Sequence, residues 1–180
     1  GMKNVAFYNY TIVENVVEVA YGATAADYST DVLREKARTF IADSVALGQP
    51  FFLYFAPKAP HAPATPAPRH AGMFATVPPW RPASYNEADV SDKPSWVQAT
   101  PLLSGARQAS IDAFNILQLE SLQAVDEAVG GNPTYGIAGI MQALQDAGVA
   151  DDTLVVYFAD NGYLWGEHRM DKKNKPYDEA

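Results

Sequence analysis

Two unbroken apolar runs constrain what this chain can fold into more than anything else in it. Phe51-Phe52-Leu53-Tyr54-Phe55 stands between Pro50 and Pro57, and Thr153 to Ala159 runs into Asp160-Asn161-Gly162. A strand with one wet face alternates polar and apolar residues, whereas a strand covered on both faces does not. Both runs are therefore expected as buried strands of a mostly parallel sheet. The pattern before and between them is helical. Asp27 to Asp31 supplies capping oxygens, and Leu33, Ala37, Phe40, Ile41 and Ser44 recur at helical spacing until Gly48. Ile111, Phe114, Leu122, Val125 and Val129, with Gln118 filling the missing position, predict a long helix from about Gly105 to Val129. Gly130-Gly131-Asn132-Pro133 breaks it, and Ile137, Ile140, Met141 and Leu144 restart the period until Gly148. This order of elements predicts an α/β fold with helices flanking the sheet.

Two further features surround that framework. Val5 to Tyr10 and Val16 to Tyr21 are β-branched or aromatic, with Glu14-Asn15 between them at hairpin spacing, which predicts an N-terminal β-hairpin. From Pro57 to Pro101 the chain holds ten of its thirteen prolines, so this stretch is expected as a long proline-rich surface loop. Loops of such length in compact domains are usually functional or disordered.

Composition removes several function classes. A formal charge of −8 argues against a nucleic-acid backbone as partner, since such binders gather Lys and Arg into a basic face. The same charge means that any anion site must be made locally, by a metal or a few placed cations. Cysteine is absent, which excludes disulfides, thiolate metal sites and a cysteine nucleophile. No apolar run approaches the roughly 20 residues of a membrane span. Gly1-Met2 reads as a cloning remnant ahead of an internal start, and the compartment stays open, a secreted or periplasmic parent included.

In open α/β sheets ligands sit beyond the carboxyl ends of strands, and both buried runs end in polar chemistry. Pro57-Lys58-Ala59-Pro60-His61 follows the first and Asp160-Asn161-Gly162 the second. Asp160 and Asn161 are adjacent hard oxygen donors, suited to Ca²⁺ or Mg²⁺ rather than zinc. Taken alone, Asn161-Gly162 reads first as a hairpin turn, His61 as a loop histidine, and Lys172-Lys173 as a solvated charge cluster.

Three runs then occur in order: Phe51-Phe52-Leu53-Tyr54-Phe55-Ala56-Pro57-Lys58-Ala59-Pro60-His61-Ala62-Pro63, Ser121-Leu122-Gln123-Ala124-Val125-Asp126-Glu127, and Asp160-Asn161-Gly162-Tyr163-Leu164-Trp165-Gly166-Glu167-His168-Arg169. Together they resemble the sulfatase family, over nearly the whole chain. Tyr8-Asn9-Tyr10-Thr11 and Asn86-Glu87-Ala88-Asp89-Val90-Ser91-Asp92-Lys93-Pro94 look most similar to its N-acetylglucosamine-6-sulfatase branch, which acts on sulfated sugars. The resemblance implies part of an alkaline-phosphatase-like sandwich. Residues 1–180 would then be a partial catalytic domain, with a hairpin over 1–25, an active-site loop over 57–104, helices over 105–148, and a strand with the metal and sulfate loop over 153–180.

The resemblance also implies roles. Asp160 and Asn161 match the second pair of ligands to the family's Ca²⁺, and the two aspartates completing that site would lie upstream. His61 matches the histidine that contacts the sulfate group and assists departure of the leaving alcohol. Lys173, in Lys173-Asn174-Lys175-Pro176-Tyr177-Asp178-Glu179, matches the lysine that binds a sulfate oxygen, and His168 lies near the substrate in similar sequences. The family's nucleophile is a formylglycine made from Cys or Ser in Cys/Ser-x-Pro-x-Arg. Here Val77-Pro78-Pro79-Trp80-Arg81 has the spacing but begins with valine.

The expectation is therefore an internal piece of a Ca²⁺-dependent sulfatase, acting on sulfated carbohydrate or another sulfate ester and inactive alone. Sheet edges left unpaired would favour self-association. Two alternatives stay open: a phosphatase or phosphonate hydrolase of the same superfamily, and a non-catalytic domain that binds sulfated glycans. In similar sequences the helix runs on from the Val125-Asp126-Glu127 segment, whereas here Asn132 to Gly136 interrupts it.

Overall fold

The computed structural model describes Met2, Asn4 and residues 6–173. The chain divides into two units, residues 1–74 with 117–155 and residues 75–116 with 156–180.

In the first unit a hairpin pairs β1 (Thr11–Glu14) with β2 (Val17–Ala20), antiparallel, from Thr11 opposite Ala20 to Glu14 opposite Val17. The two-residue turn is Asn15-Val16, both at positive φ (45° and 70°). Asparagine tolerates that region and a β-branched valine does not, so Val16 carries local strain at a tip that is 94% exposed. This corrects the expected hairpin. Its first strand lies at Thr11–Glu14 and not over residues 5–10, because strands must pair symmetrically about the turn. Phe7 and Tyr10 leave the regular ladder and are buried, and Tyr10 stacks on Tyr21 with ring centroids 5.0 Å apart.

Helix α1 (Ser29–Ala46) follows a short 3₁₀ turn capped by Thr24, whose backbone N–H and hydroxyl both donate to Asp27 Oδ2 (2.9 and 2.6 Å). It ends as the sequence requires. Gly48 takes φ 64°, its N–H donates to Val45 O and that of Gln49 to Ser44 O, a Schellman closure of the last turn. Phe7, Tyr28, Ala59, Ala67, Ala124 and Val125 form the core of this unit, so residues from the proline-rich stretch are wedged against helical ones.

A four-residue helix, α2 (Ser95–Gln98), is the one regular element between α1 and the long helix α3 (Gly105–Gly130). Residues 105–116 of α3 belong to the second unit and 117–130 to the first. After it, Asn132 and Ile137 exchange both backbone hydrogen bonds (2.7 and 2.9 Å) around a 3₁₀ turn at Pro133–Tyr135. The interruption is thus a closed loop, and the chain returns to where it left. An added Cβ on Gly139 would sit 2.4 Å from Gly131 N. Helix α4 (Ile140–Asp146) then packs on α1.

The two apolar runs differ from expectation. Residues 51–55 and 153–159 carry no strand, and no parallel pairing occurs among the described residues. Phe52 is 86% exposed, Leu154 90% and Tyr157 75%. The physical reason is that a doubly covered strand needs a neighbour on each edge and a layer on each face, and the described residues supply neither. Local pattern states that a run is fit for burial and is silent about what buries it.

In the second unit β3 (Leu164–Trp165) pairs antiparallel with β4 (Asp171–Lys172). Leu164, Met170, Val97, Val90 and Ile111 are buried. No helix among the described residues is long and apolar enough to cross a membrane.

Candidate functional site

His61 belongs to the first unit, and Asp160, Asn161, His168 and Lys173 to the second. His61 is exposed in a tight turn, its N–H donating to Lys58 O (2.8 Å) and its carbonyl accepting from Ala64 N (2.9 Å). Its Nδ1 lies 3.0 Å from Ala62 O. A carbonyl only accepts, so that contact places a proton on Nδ1 and makes Nε2 the nitrogen that exchanges a second one.

The segment bearing His61 is held by long-range bonds. Tyr28 donates to Thr65 O (2.9 Å), and Arg69 reaches two carboxylates at once. Its Nη1 and Nη2 donate to Asp31 (both 2.7 Å), and its Nε and Nη2 to Glu127 Oε2 (2.8 and 2.6 Å). Glu127, only 3% exposed, also takes Asn132 Nδ2 (2.9 Å) and His70 Nε2 (3.0 Å) on Oε1. Burial pushes the Glu127 carboxyl up, but the bonds from Arg69 and His70 outweigh it and leave the carboxyl below its ordinary value. The two carboxylates hold Arg69 charged against the opposing effect of burial.

In the second unit Asp160 and Asn161 are exposed, just ahead of β3. Lys173, one residue past β4, donates from Nζ to Asn161 Oδ1 (3.0 Å), while Asn161 Nδ2 donates to Gly162 O (2.7 Å). The structure therefore brings Lys173 onto Asn161. Residues 174–179, which complete the lysine's sequence match, lie outside the described residues. Among the described residues no three His, Cys, Asp or Glu side chains gather as a metal cluster. Asp160 and Asn161 are the right chemistry for a hard cation, one carboxylate and one amide oxygen, but they make a partial shell.

His168 is 7% exposed and sits in the most constrained backbone of this unit. It and Arg169 take positive φ (52° and 65°). Its N–H donates to Ser84 O (2.7 Å), and Arg169 binds the carbonyls of Glu87, Ala88 and Thr100 (2.8, 2.9 and 3.0 Å). Glu167 accepts from Trp80 Nε1 (2.5 Å) and Trp165 N (2.6 Å). Arg81 forms a bidentate pair with Asp112 (2.8 and 2.7 Å) and lies 4.0 Å from the Tyr85 ring centroid. Val77 to Arg81 thus has a structural occupation, and Val77 has no oxygen or sulfur to become a nucleophile.

Arg69 lies in no motif, and Glu127 and Glu87 lie inside runs that resemble the family but carry no assigned role there. Their signal is weak in one dimension, because isolated charges in a proline-rich stretch or a helix look solvated until a partner far along the chain is known. A groove of about 520 Å³ between α1 and α4 contains none of the candidate residues and is lined largely by alanines and exposed charges.

The chain is 38% identical to an arylsulfatase of Volvox carteri over 174 residues, covering 84% of this chain and 26% of that one. It is 35% identical to an arylsulfatase of Chlamydomonas reinhardtii (89% and 27%) and 30% identical to the human N-acetylglucosamine-6-sulfatase (93% and 29%). The chain spans about a quarter of the length of these relatives. The sulfatase family model matches residues 2–180. With the match running from end to end, this chain belongs to the sulfatase family.

Proposed function

We propose that the full-length protein carrying this chain hydrolyses sulfate esters with the help of Ca²⁺, on sulfated sugars, and that the chain alone does not turn over. Family membership gives sulfate-ester chemistry in general and an α/β fold of the alkaline-phosphatase type. The observation that carries the finer reading is the juxtaposition in the second unit. The Lys173 ammonium lies 3.0 Å from Asn161 Oδ1, on the residue that follows Asp160, in a chain of net charge −8. An acidic protein that handles an anion needs its positive charge placed locally, and this is such a placement.

In this reading Asp160 and Asn161 would hold part of the Ca²⁺ shell, and the cation would supply polarisation of the sulfuryl oxygens. Lys173 binds one of those oxygens and offsets the charge that shifts onto them. His61 carries the proton for the departing alcohol on Nε2, while Nδ1–H is steadied by Ala62 O. His168 contacts the rest of the ester. The residues here do not fit a formylglycine, since valine heads Val77-Pro78-Pro79-Trp80-Arg81.

The test is hydrolysis of an aryl sulfate and of a sulfated sugar by this chain and by the full-length, matured protein. Turnover by the full-length protein alone, abolished by a calcium chelator and lowered about 10²–10⁴-fold in His61→Gln, is the expected result. Turnover by the isolated chain refutes its inactivity, and an inert full-length protein refutes the rest.

A further inference from the structure

We propose that Glu87 is a positioning residue for His168, fixing the ring and holding its proton on Nδ1. The proposal deepens the sulfatase reading and, for its effect on turnover, rests on His168 touching the substrate. The Glu87 carboxylate lies beside the ring, with Oε1 3.3 Å from His168 Nδ1, a close charge contact outside hydrogen-bond alignment, and its other oxygen lies 3.8 Å from Lys93 Nζ. Both partners are removed from bulk water, their side chains 17% and 9% exposed. A carboxylate opposite one imidazole nitrogen keeps the proton on that nitrogen, whether the ring is neutral or charged.

The surroundings are built to keep this pair together. Two successive non-glycine residues, His168 and Arg169, are held in the left-handed region, where strain persists only if the surroundings impose it. Several of the imposing contacts join residues 166–169 to the stretch around Glu87. Asn86 N donates to Gly166 O (2.8 Å), His168 N to Ser84 O (2.7 Å), and Arg169 to Glu87 O and Ala88 O. Gly166 stacks so closely under the Tyr85 ring that an added Cβ would lie 2.2 Å from Cε2. Glu87 is thus fixed by its own carbonyl through Arg169, while its carboxylate is turned to the preceding residue of the same turn. A purely structural turn would be satisfied by the Arg169 bonds and would not require a carboxylate on the imidazole.

Two measurements test this. In the ¹⁵N-labelled 180-residue chain, long-range ¹H–¹⁵N correlations report the tautomer of each histidine ring, with His168 assigned by its loss in His168→Gln. The expected result is a protonated Nδ1 at His168 that becomes a mixture of tautomers in Glu87→Ala, with an unchanged melting profile as the check on folding. The same ring pattern in Glu87→Ala and wild type overturns the pairing. In the full-length protein, Glu87→Gln is expected to lower kcat/KM for an aryl sulfate about tenfold, mostly in kcat. Combined with His168→Gln it should lower activity no further than His168→Gln alone, within about twofold. Multiplying losses overturn the positioning role. An inert wild-type enzyme overturns the substrate role of His168, while the ring spectra still decide the pairing by themselves.

Discussion

Replacing Glu127 by glutamine should be among the most damaging isosteric changes available in this chain. The carboxylate is 3% exposed and accepts on both oxygens, Arg69 on one side, His70 and Asn132 on the other. Glutamine offers one oxygen and one NH₂. If the oxygen faces Arg69, the NH₂ meets the donors His70 Nε2 and Asn132 Nδ2. If it flips, the NH₂ meets a guanidinium. His70 cannot repair the mismatch by changing tautomer without cost, because its Nδ1 is buried with no hydrogen-bond partner. Charge-assisted hydrogen bonds contribute about 1.5–3 kcal/mol each, and breaking one side of a buried pair costs about 3–5 kcal/mol. Arg69 keeps its pair with Asp31, so about 3 kcal/mol is the expected loss. For a chain of this size that lowers Tm by about 6–12 °C.

The pH dependence adds a second check on the same variant. The folded pKa of Glu127 is depressed from an ordinary value of 4.5. Its contribution is therefore complete above the unfolded value and disappears as pH falls through the folded one. The stability gap between wild type and Glu127→Gln, measured by urea unfolding at several pH values, should be full near neutrality and close in acid below 4.5. A gap under about 1 kcal/mol at neutral pH, or one that persists unchanged in acid, would show that the bonds to Glu127 are not what holds this part of the fold.

Two other outcomes follow from the packing. Gly139→Ala drives a methyl to 2.4 Å from Gly131 N and 2.5 Å from Val129 O, so thermal unfolding should report a loss of about 3 kcal/mol, whereas Gly130→Ala meets nothing within 4 Å and should be neutral or mildly stabilising. Phe52→Ser and Tyr54→Ser remove side chains 86% and 69% exposed, so the stability of this chain should change by no more than about 0.5 kcal/mol despite the loss of two large apolar groups.

The helices were legible in the sequence because their signals are local. Apolar spacing and the glycines at 48 and 148 sit within a few residues of what they control. The hairpin was legible in kind and displaced in position, since β propensity marks residues 5–10 as strongly as 11–14 and only the turn decides which of them pair. The parallel sheet was not, for the reason that Phe52 and Leu154 show: strand burial is a property of neighbours. The same division runs through the site. Side-chain type pointed to Asp160 and Asn161, the family resemblance added Lys173, and the fold shows the lysine reaching the asparagine. Glu87 and Arg69 became visible only through partners 81 and 58 residues away, His168 and Glu127.

The loop from Asn132 to Ile137 begins and ends at backbone that is already in contact, so the main chain on either side has no need of what lies between. That makes the excursion an exchangeable cassette. Its tip, with Tyr135 half exposed, is a natural place to graft an epitope or a fluorophore. The anchor to respect in doing so is Asn132, since it reports to Glu127 and through it to Arg69. A label carried there would sense the state of the Arg69–Glu127 pair from outside it.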